Sequence, residues 1–221
     1  MKMKKKRVQV RKGERGSFLM EFALVAPLLV LMLGGTFEVG MALNRSLTAS
    51  QVVRNANVLV VRGIDLSQTQ NQQLLIRTAA KLGMNTSGTW NPDPNGTGVI
   101  FLTKVLRVGN LECALGINNW DGTQASCPNY GKYVIASRIN IGNSTRWQSP
   151  LGSPGTTQRS DGTLYDSDIA TSSSDVATGF PGIITLDYDK YTFVSELYVD
   201  ISKFQLFATP AEPVIYMRNL S

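Results

Sequence analysis

From Ser17 to Phe37 the chain runs for 21 residues with one ionisable side chain, Glu21. At about 1.5 Å per residue such a helix is about 31 Å long, enough to cross the hydrocarbon core of a bilayer. The run therefore predicts a membrane span, which we bound at residues 17–43. Glu21 lies near the start of that span, where a carboxylate costs a few kcal/mol unless something neutralises it. A carboxylate reaching back to the interface is the plain alternative.

The basic character of the protein is confined to what precedes the span. Residues 1–16 hold Lys2, Lys4, Lys5, Lys6, Arg7, Arg11, Lys12 and Arg15 against Glu14, eight of the chain's 22 basic residues. The remaining 14 face 15 acids, so residues 17–221 carry a net charge of −1 although the whole chain is +6. A basic block directly before an apolar helix keeps the N-terminus cytoplasmic by the positive-inside rule, placing everything after about residue 43 outside. Nucleic-acid binding is disfavoured, because no aromatic or further basic residue interleaves the block. A secretory signal peptide fits less well, since the apolar run exceeds the usual length of about 7–15 residues and no A-x-A site closes it.

Gly16, then Ser17, then Glu21 as the fifth residue counted from Ser17, all behind a short basic leader, resembles the substrate pattern of type IV prepilin peptidases. The longer string GSFLMEFALVAPLLVLMLGGTFEVGMAL, residues 16–43, resembles the TadE/TadG group of minor pseudopilins of tight-adherence (Flp-type) pili. The resemblance implies cleavage after Gly16, which would leave a new ammonium on Ser17 one helical turn from Glu21. It implies a salt bridge between the two, most usefully across neighbouring subunits, where charges in low dielectric would set the axial register. Glu38 resembles the second acid near the end of such segments; a charge that terminates the span is its plainer reading. Pro27 removes a backbone hydrogen bond and predicts a bend, while Gly34 and Gly35, with Gly40 beyond, permit close helix packing. Small residues are also simply common in membrane helices.

Beyond the span, LNRSLTASQVVRNANVLVV, residues 43–61, lacks Pro and Gly and places Leu47, Val52, Ala56 and Leu59 at helical spacing. The membrane helix is therefore expected to continue to Gly63. Ser67 and Gln70 read as a capping box for a second helix carrying Leu74, Leu75, Ala79 and Leu82 and ending at Gly83. A Gly, Pro and Asn cluster over residues 85–98 divides this helical part, 44–83, from a β-rich part, 97–221. Strands are expected at Val99–Val108, Tyr133–Ile141, Ile183–Tyr188, Tyr191–Ile201 and Pro213–Arg218, paired antiparallel because helical connections are missing. In the second of these, Tyr133, Ile135, Ile139 and Ile141 alternate with polar or small residues, as in a half-buried strand. Residues 142–181, rich in Ser, Thr, Gly and Asp, predict a long exposed loop. Residues 193–207 and 214–219 are loosely similar to the closing strands of TadE-type proteins. The expected fold is α+β: a long membrane-spanning helix running into an exported domain with a second helix and an antiparallel sheet.

Cys113 and Cys127, an even pair in an exported domain, predict a disulfide worth about 3 kcal/mol. Two thiols without histidine make zinc improbable. Asp161, Asp166 and Asp168, or Asp187 and Asp189, offer oxygen ligands for calcium, but no EF-hand spacing accompanies them and solvated loop acids are the simpler reading. No catalytic constellation, phosphate loop, metal cluster or cofactor motif is present, so neither an enzyme nor a cofactor is expected. The resemblance implies a non-catalytic minor pseudopilin of the bacterial inner membrane. Its partners would be the prepilin peptidase, other pilins and pseudopilins, and the assembly platform, with no nucleic acid; its role would be surface attachment. The alternatives are an uncut signal-anchored binding protein and a membrane-tethered enzyme.

Overall fold

The computed structural model describes residues 14–84, 90–201 and 214–221, so most of the basic leader and parts of the 85–98 and 193–207 segments lie outside the described residues. The chain divides into two units, residues 1–43 and residues 44–221.

Helix α1, Glu14–Val61, is one element of 48 residues that continues through Pro27. It stops where the sequence requires, because Gly63 adopts a φ of +73° that most side chains avoid. There Gly63 N–H donates to Val60 O at 2.9 Å and Ile64 N–H to Leu59 O at 3.0 Å, the double bond of a Schellman cap. Within the second unit α1 buries Ala49, Val52, Val53 and Ala56, residues three and four apart on one face. Leu47, expected on that face, is instead 65% exposed: in an α-helix it lies nearly opposite Ala49.

Helix α2 spans Thr69–Ala79 and runs into a 3-10 turn, Ala80–Leu82, closed by Gly83 at φ +75°. The expected capping box does not form, and Gln68 occupies the N-cap with no side-chain bond. Ser67 is engaged upstream, its N–H and hydroxyl both donating to Asp65 Oδ1 at 2.9 and 2.6 Å.

Four strands follow: β1 (Gly98–Arg107), β2 (Tyr133–Gly142), β3 (Tyr191–Asp200) and β4 (Val214–Leu220). They form one antiparallel sheet in the order β2-β1-β3-β4. Two short helices, α3 (Asn110–Gly116) and α4 (Asp166–Thr171), lie between strands in sequence. The architecture is α+β.

Both faces of the sheet are covered, which defeats the simple alternation expected of β2. Ile100, Leu102, Ile141, Leu197 and Val199 pack with the small face of α1 and with Leu75, Ile76 and Leu82 of the following helical segment. Val105, Ile135 and Val194 point the other way, into Leu151, Ala177, Phe180 and Leu186. A third cluster joins Leu106, Val134 and Ala136 to Cys113, Cys127, Leu164 and Ile169. The register between β1 and β2 slips at Lys104/Val105, so Val134, Ile135 and Ala136 are buried in succession.

Two expectations are corrected here. Residues 142–181 are not an exposed loop: they include α4 and a 3-10 turn and bury Leu151, Leu164 and Phe180 almost completely. Their apolar residues are few but large, and Asp175, fully buried, ties the segment down by accepting bonds from Gly155 N–H, Thr156 N–H and the Thr156 hydroxyl. Residues 183–188 are not a strand, because Pro181-Gly182 turns the chain and the Arg107 guanidinium, not a neighbouring strand, donates to Leu186 O at 2.9 Å.

Phe180 is fully buried against Val105, Ile135 and Leu151, so Phe180→Ala destabilises the protein by about 3–5 kcal/mol. Urea unfolding of the detergent-solubilised chain, followed by tryptophan fluorescence, measures this. A free loop would give a change below about 0.5 kcal/mol.

Candidate functional site

The first unit consists, among its described residues, of the N-terminal part of α1, and it is apolar on every side. Leu19, Met20, Phe22, Leu24 and Leu28 through Leu33 are all exposed. The helix is long and apolar enough to cross a membrane, and none of its most apolar stretch is buried in the protein. An all-round apolar surface of this kind fits a single-pass membrane anchor.

The sequence-selected residues on it do not form one stripe. At about 100° per residue, Pro27, Gly34 and Glu38 fall within about 40° of one another, whereas Glu21 and Gly35 lie together on a face roughly 100° away. Nothing approaches the site of an added Cβ at Gly35 or Gly40. Gly16 and Ser17 are already helical, within the first turn of α1.

Residues 16–56 match the family of TadE-like proteins. No curated protein and no solved structure matches the chain. The TadE-like segment starts at Gly16, contains Glu21, Pro27, Gly34, Gly35 and Glu38, and ends at Ala56, the last of the four α1 residues buried against the sheet. The match does not extend to the closing strands.

In the second unit Cys113 of α3 and Cys127 form a disulfide with Cα atoms 5.8 Å apart. It sits inside the third hydrophobic cluster, where Cys127 also faces Ala170 O. Among the described residues no group of three or more His, Cys, Asp or Glu side chains is placed to hold a metal ion. Asp161 is engaged by Thr163, whose N–H and hydroxyl donate to it at 2.9 and 2.6 Å. Asp189, at φ +60°, accepts from Leu111 N–H at 3.2 Å.

Sequence reasoning missed two carboxylate sites. The first is Glu196 of β3, fully buried. Its Oε1 accepts from Arg218 Nε and Nη2 at 3.0 and 2.7 Å and from the Tyr216 hydroxyl at 2.7 Å, and its Oε2 accepts from Ser149. Arg138, 4% exposed, donates to Gly152 O at 2.6 Å and to Ser149 Oγ at 3.3 Å. Burial pushes the Arg138 guanidinium down to about 10, partly offset by the Glu196 charge. The arrangement locks three strands to the 143–152 segment. Removing one partner of a buried ion pair leaves the others unsatisfied, so Glu196→Ala costs about 3–5 kcal/mol in urea unfolding, while Asp166→Ala on the surface costs under about 0.5.

The second is Glu112, whose Oε2 is buried without a hydrogen bond and whose carboxyl faces that of Asp189. Burial, then the hydrogen bond with Asp189, pushes Glu112 up to about 7 from an ordinary 4.5. A raised carboxyl binds its proton more tightly in the folded state, so its contribution is complete below about pH 4.5 and is lost as pH rises towards 7. The urea midpoint is expected to fall across that window, and Glu112→Gln to remove this part of the slope.

Proposed function

We propose that the chain is a minor pseudopilin of a tight-adherence pilus, a structural and non-catalytic component that supports surface attachment. In this reading a prepilin peptidase cuts after Gly16. The protein is then held in the inner membrane by residues 17–43, with its N-terminus cytoplasmic and its α+β unit exported. Other pilins, pseudopilins and the assembly platform are its partners.

One observation carries the reading: the TadE-like match opens at Gly16, where an apolar helix with a single early acid begins. Two further features support it. The disulfide and the buried core of residues 44–221 suit an oxidising compartment outside the cytoplasm. The bond between Gly16 and Ser17 lies in the first turn of α1, and helix ends are where the backbone frays, which suits opening by a protease. After the cut, the Ser17 ammonium and the Glu21 carboxylate lie one turn apart, and pairing them between neighbouring subunits sets helix register.

Intact mass of the protein purified from its native membrane tests the reading. The expected wild-type species begins at Ser17 with the disulfide formed, and Gly16→Val leaves the leader attached. A wild-type protein beginning at Met1 would sink the pseudopilin and favour an uncut signal anchor.

A further inference from the structure

The two edges of the sheet are treated differently. The β2 edge is covered by the chain's own backbone: Arg138 N–H donates to Gly162 O, Leu164 N–H to Ala136 O and Ala177 N–H to Tyr133 O, all at 2.8–2.9 Å. The β4 edge has no such cover among the described residues. Ser221 and Phe193 exchange both their backbone bonds, at 3.1 and 2.9 Å, which fixes the phase of the ladder. Antiparallel alternation then turns Asn219, Met217 and Ile215 inward to β3 and leaves the N–H and C=O groups of Leu220, Arg218, Tyr216 and Val214 facing outward.

Beside this edge runs a groove of about 410 Å³ within the second unit, walled by α1 and the end of β4. Its apolar wall is Val58, Val61 and Leu220, and Arg54 and Arg62 stand at its two ends. Both arginines are exposed, and neither forms an ion pair among the described residues. Arg54 also lines a smaller hollow with Met217 to Asn219, whereas Asn57, further along α1, accepts from the Ser221 hydroxyl at 2.8 Å, so α1 advances alongside β4 in the same direction. Between Glu38 and Asp65 the sequence has no acid, so the only charged side chains that α1 brings to this wall are positive.

We propose that the β4 edge and this groove together dock an extended acidic segment of another protein, added to the sheet as a fifth strand. The eight residues from Arg54 to Arg62 rise about 12 Å along α1. Four residues of an added strand cover about 13 Å. Acids four apart on the incoming strand therefore reach both arginines, and the apolar residue between them meets Val58 and Val61. Main-chain pairing supplies the attraction and the alternate side chains the selectivity. A second copy of this chain is a poor occupant, because its only two acids four apart are Glu196 and Asp200, which are buried within β3. The surface lies outside the leader and the membrane span, so the proposal stands apart from the processing reading.

The probe is the peptide acetyl-Thr-Thr-Glu-Thr-Val-Thr-Glu-Thr-Thr-amide, titrated by calorimetry into the full chain in detergent. Saturable one-to-one binding is expected, with at least about tenfold weakening both by the double variant Arg54→Glu, Arg62→Glu and by replacing the peptide's glutamates with glutamine. Of two peptides N-methylated on alternate amides, the one methylated on the amides that face β4 is expected to lose binding, and the other to keep it. The double variant's melting temperature checks that it is folded; both substitutions are at exposed positions. Three results would overturn the proposal: no saturable binding of the parent peptide, unchanged affinity in a folded double variant, or unchanged affinity of both methylated peptides. Self-association of the chain alone, abolished by the double variant, would assign the groove to a second copy and overturn it too. Leader removal, read by mass, is a separate result and moves none of these.

Discussion

The second unit depends on a close contact between small side chains of α1 and the sheet. Ala49, Val52, Val53 and Ala56 are between 0 and 2% exposed, and side chains this short let helix and strands approach without a thick intervening layer. Asn57 follows them on the same face, and its Oδ1 accepts from the hydroxyls of Ser195 and Ser221 at 3.4 and 2.8 Å. A buried amide left without those donors would be costly, so this polar contact restricts the helix to one axial position where apolar contacts alone would tolerate sliding. The helix thereby fixes β3 and β4, and through β3 the rest of the sheet.

One helix here answers to two solvents. Along residues 19–43 α1 is apolar all round, as lipid requires, and has no preferred side. Along residues 44–61 only one stripe is buried, and the charged Arg45 and Arg54 lie outside it. The change of pattern occurs without a break in the backbone, since α1 is continuous from Glu14 to Val61. The TadE-like match spans this change and ends within the buried stripe, one residue before Asn57, so it covers the apolar helix together with most of the surface on which the sheet is mounted.

The parts legible in sequence were those encoded locally. A long apolar run, a terminating glycine, strands rich in β-branched residues and a lone cysteine pair each declare themselves within a few residues. What escaped depends on distant partners. Residues 142–181 read as solvated because Leu151, Leu164 and Phe180 are scattered among Ser, Thr and Gly, and no periodicity links side chains that meet only in the folded state. Gly179 belongs to the same problem: it lies directly against Pro150 O, where a Cβ could not fit, yet in sequence it resembles any loop glycine. The unrealised strand at 183–188 shows the converse, since β propensity alone does not make a strand where no neighbouring strand pairs with the segment.

Glu21 and Glu196 pose the same physical question with opposite visibility. Each places a carboxylate where water is scarce, and each position is tolerable only if donors or a positive charge are supplied. For Glu21 the proposed charge lies four residues away along one helix, so spacing alone suggests it. For Glu196 the donors come from Ser149, Tyr216 and Arg218, between 20 and 47 residues distant, with Ser149 also accepting from Arg138. Only the antiparallel register, which sets Glu196 opposite Arg218, together with the fold of 143–152 over the same face, assembles that set. The network therefore requires the fold that it stabilises: Leu151 in the core and Trp147 stacked on Tyr198 seat the 143–152 segment, and the Ser149 link to Glu196 ties it to the same strand.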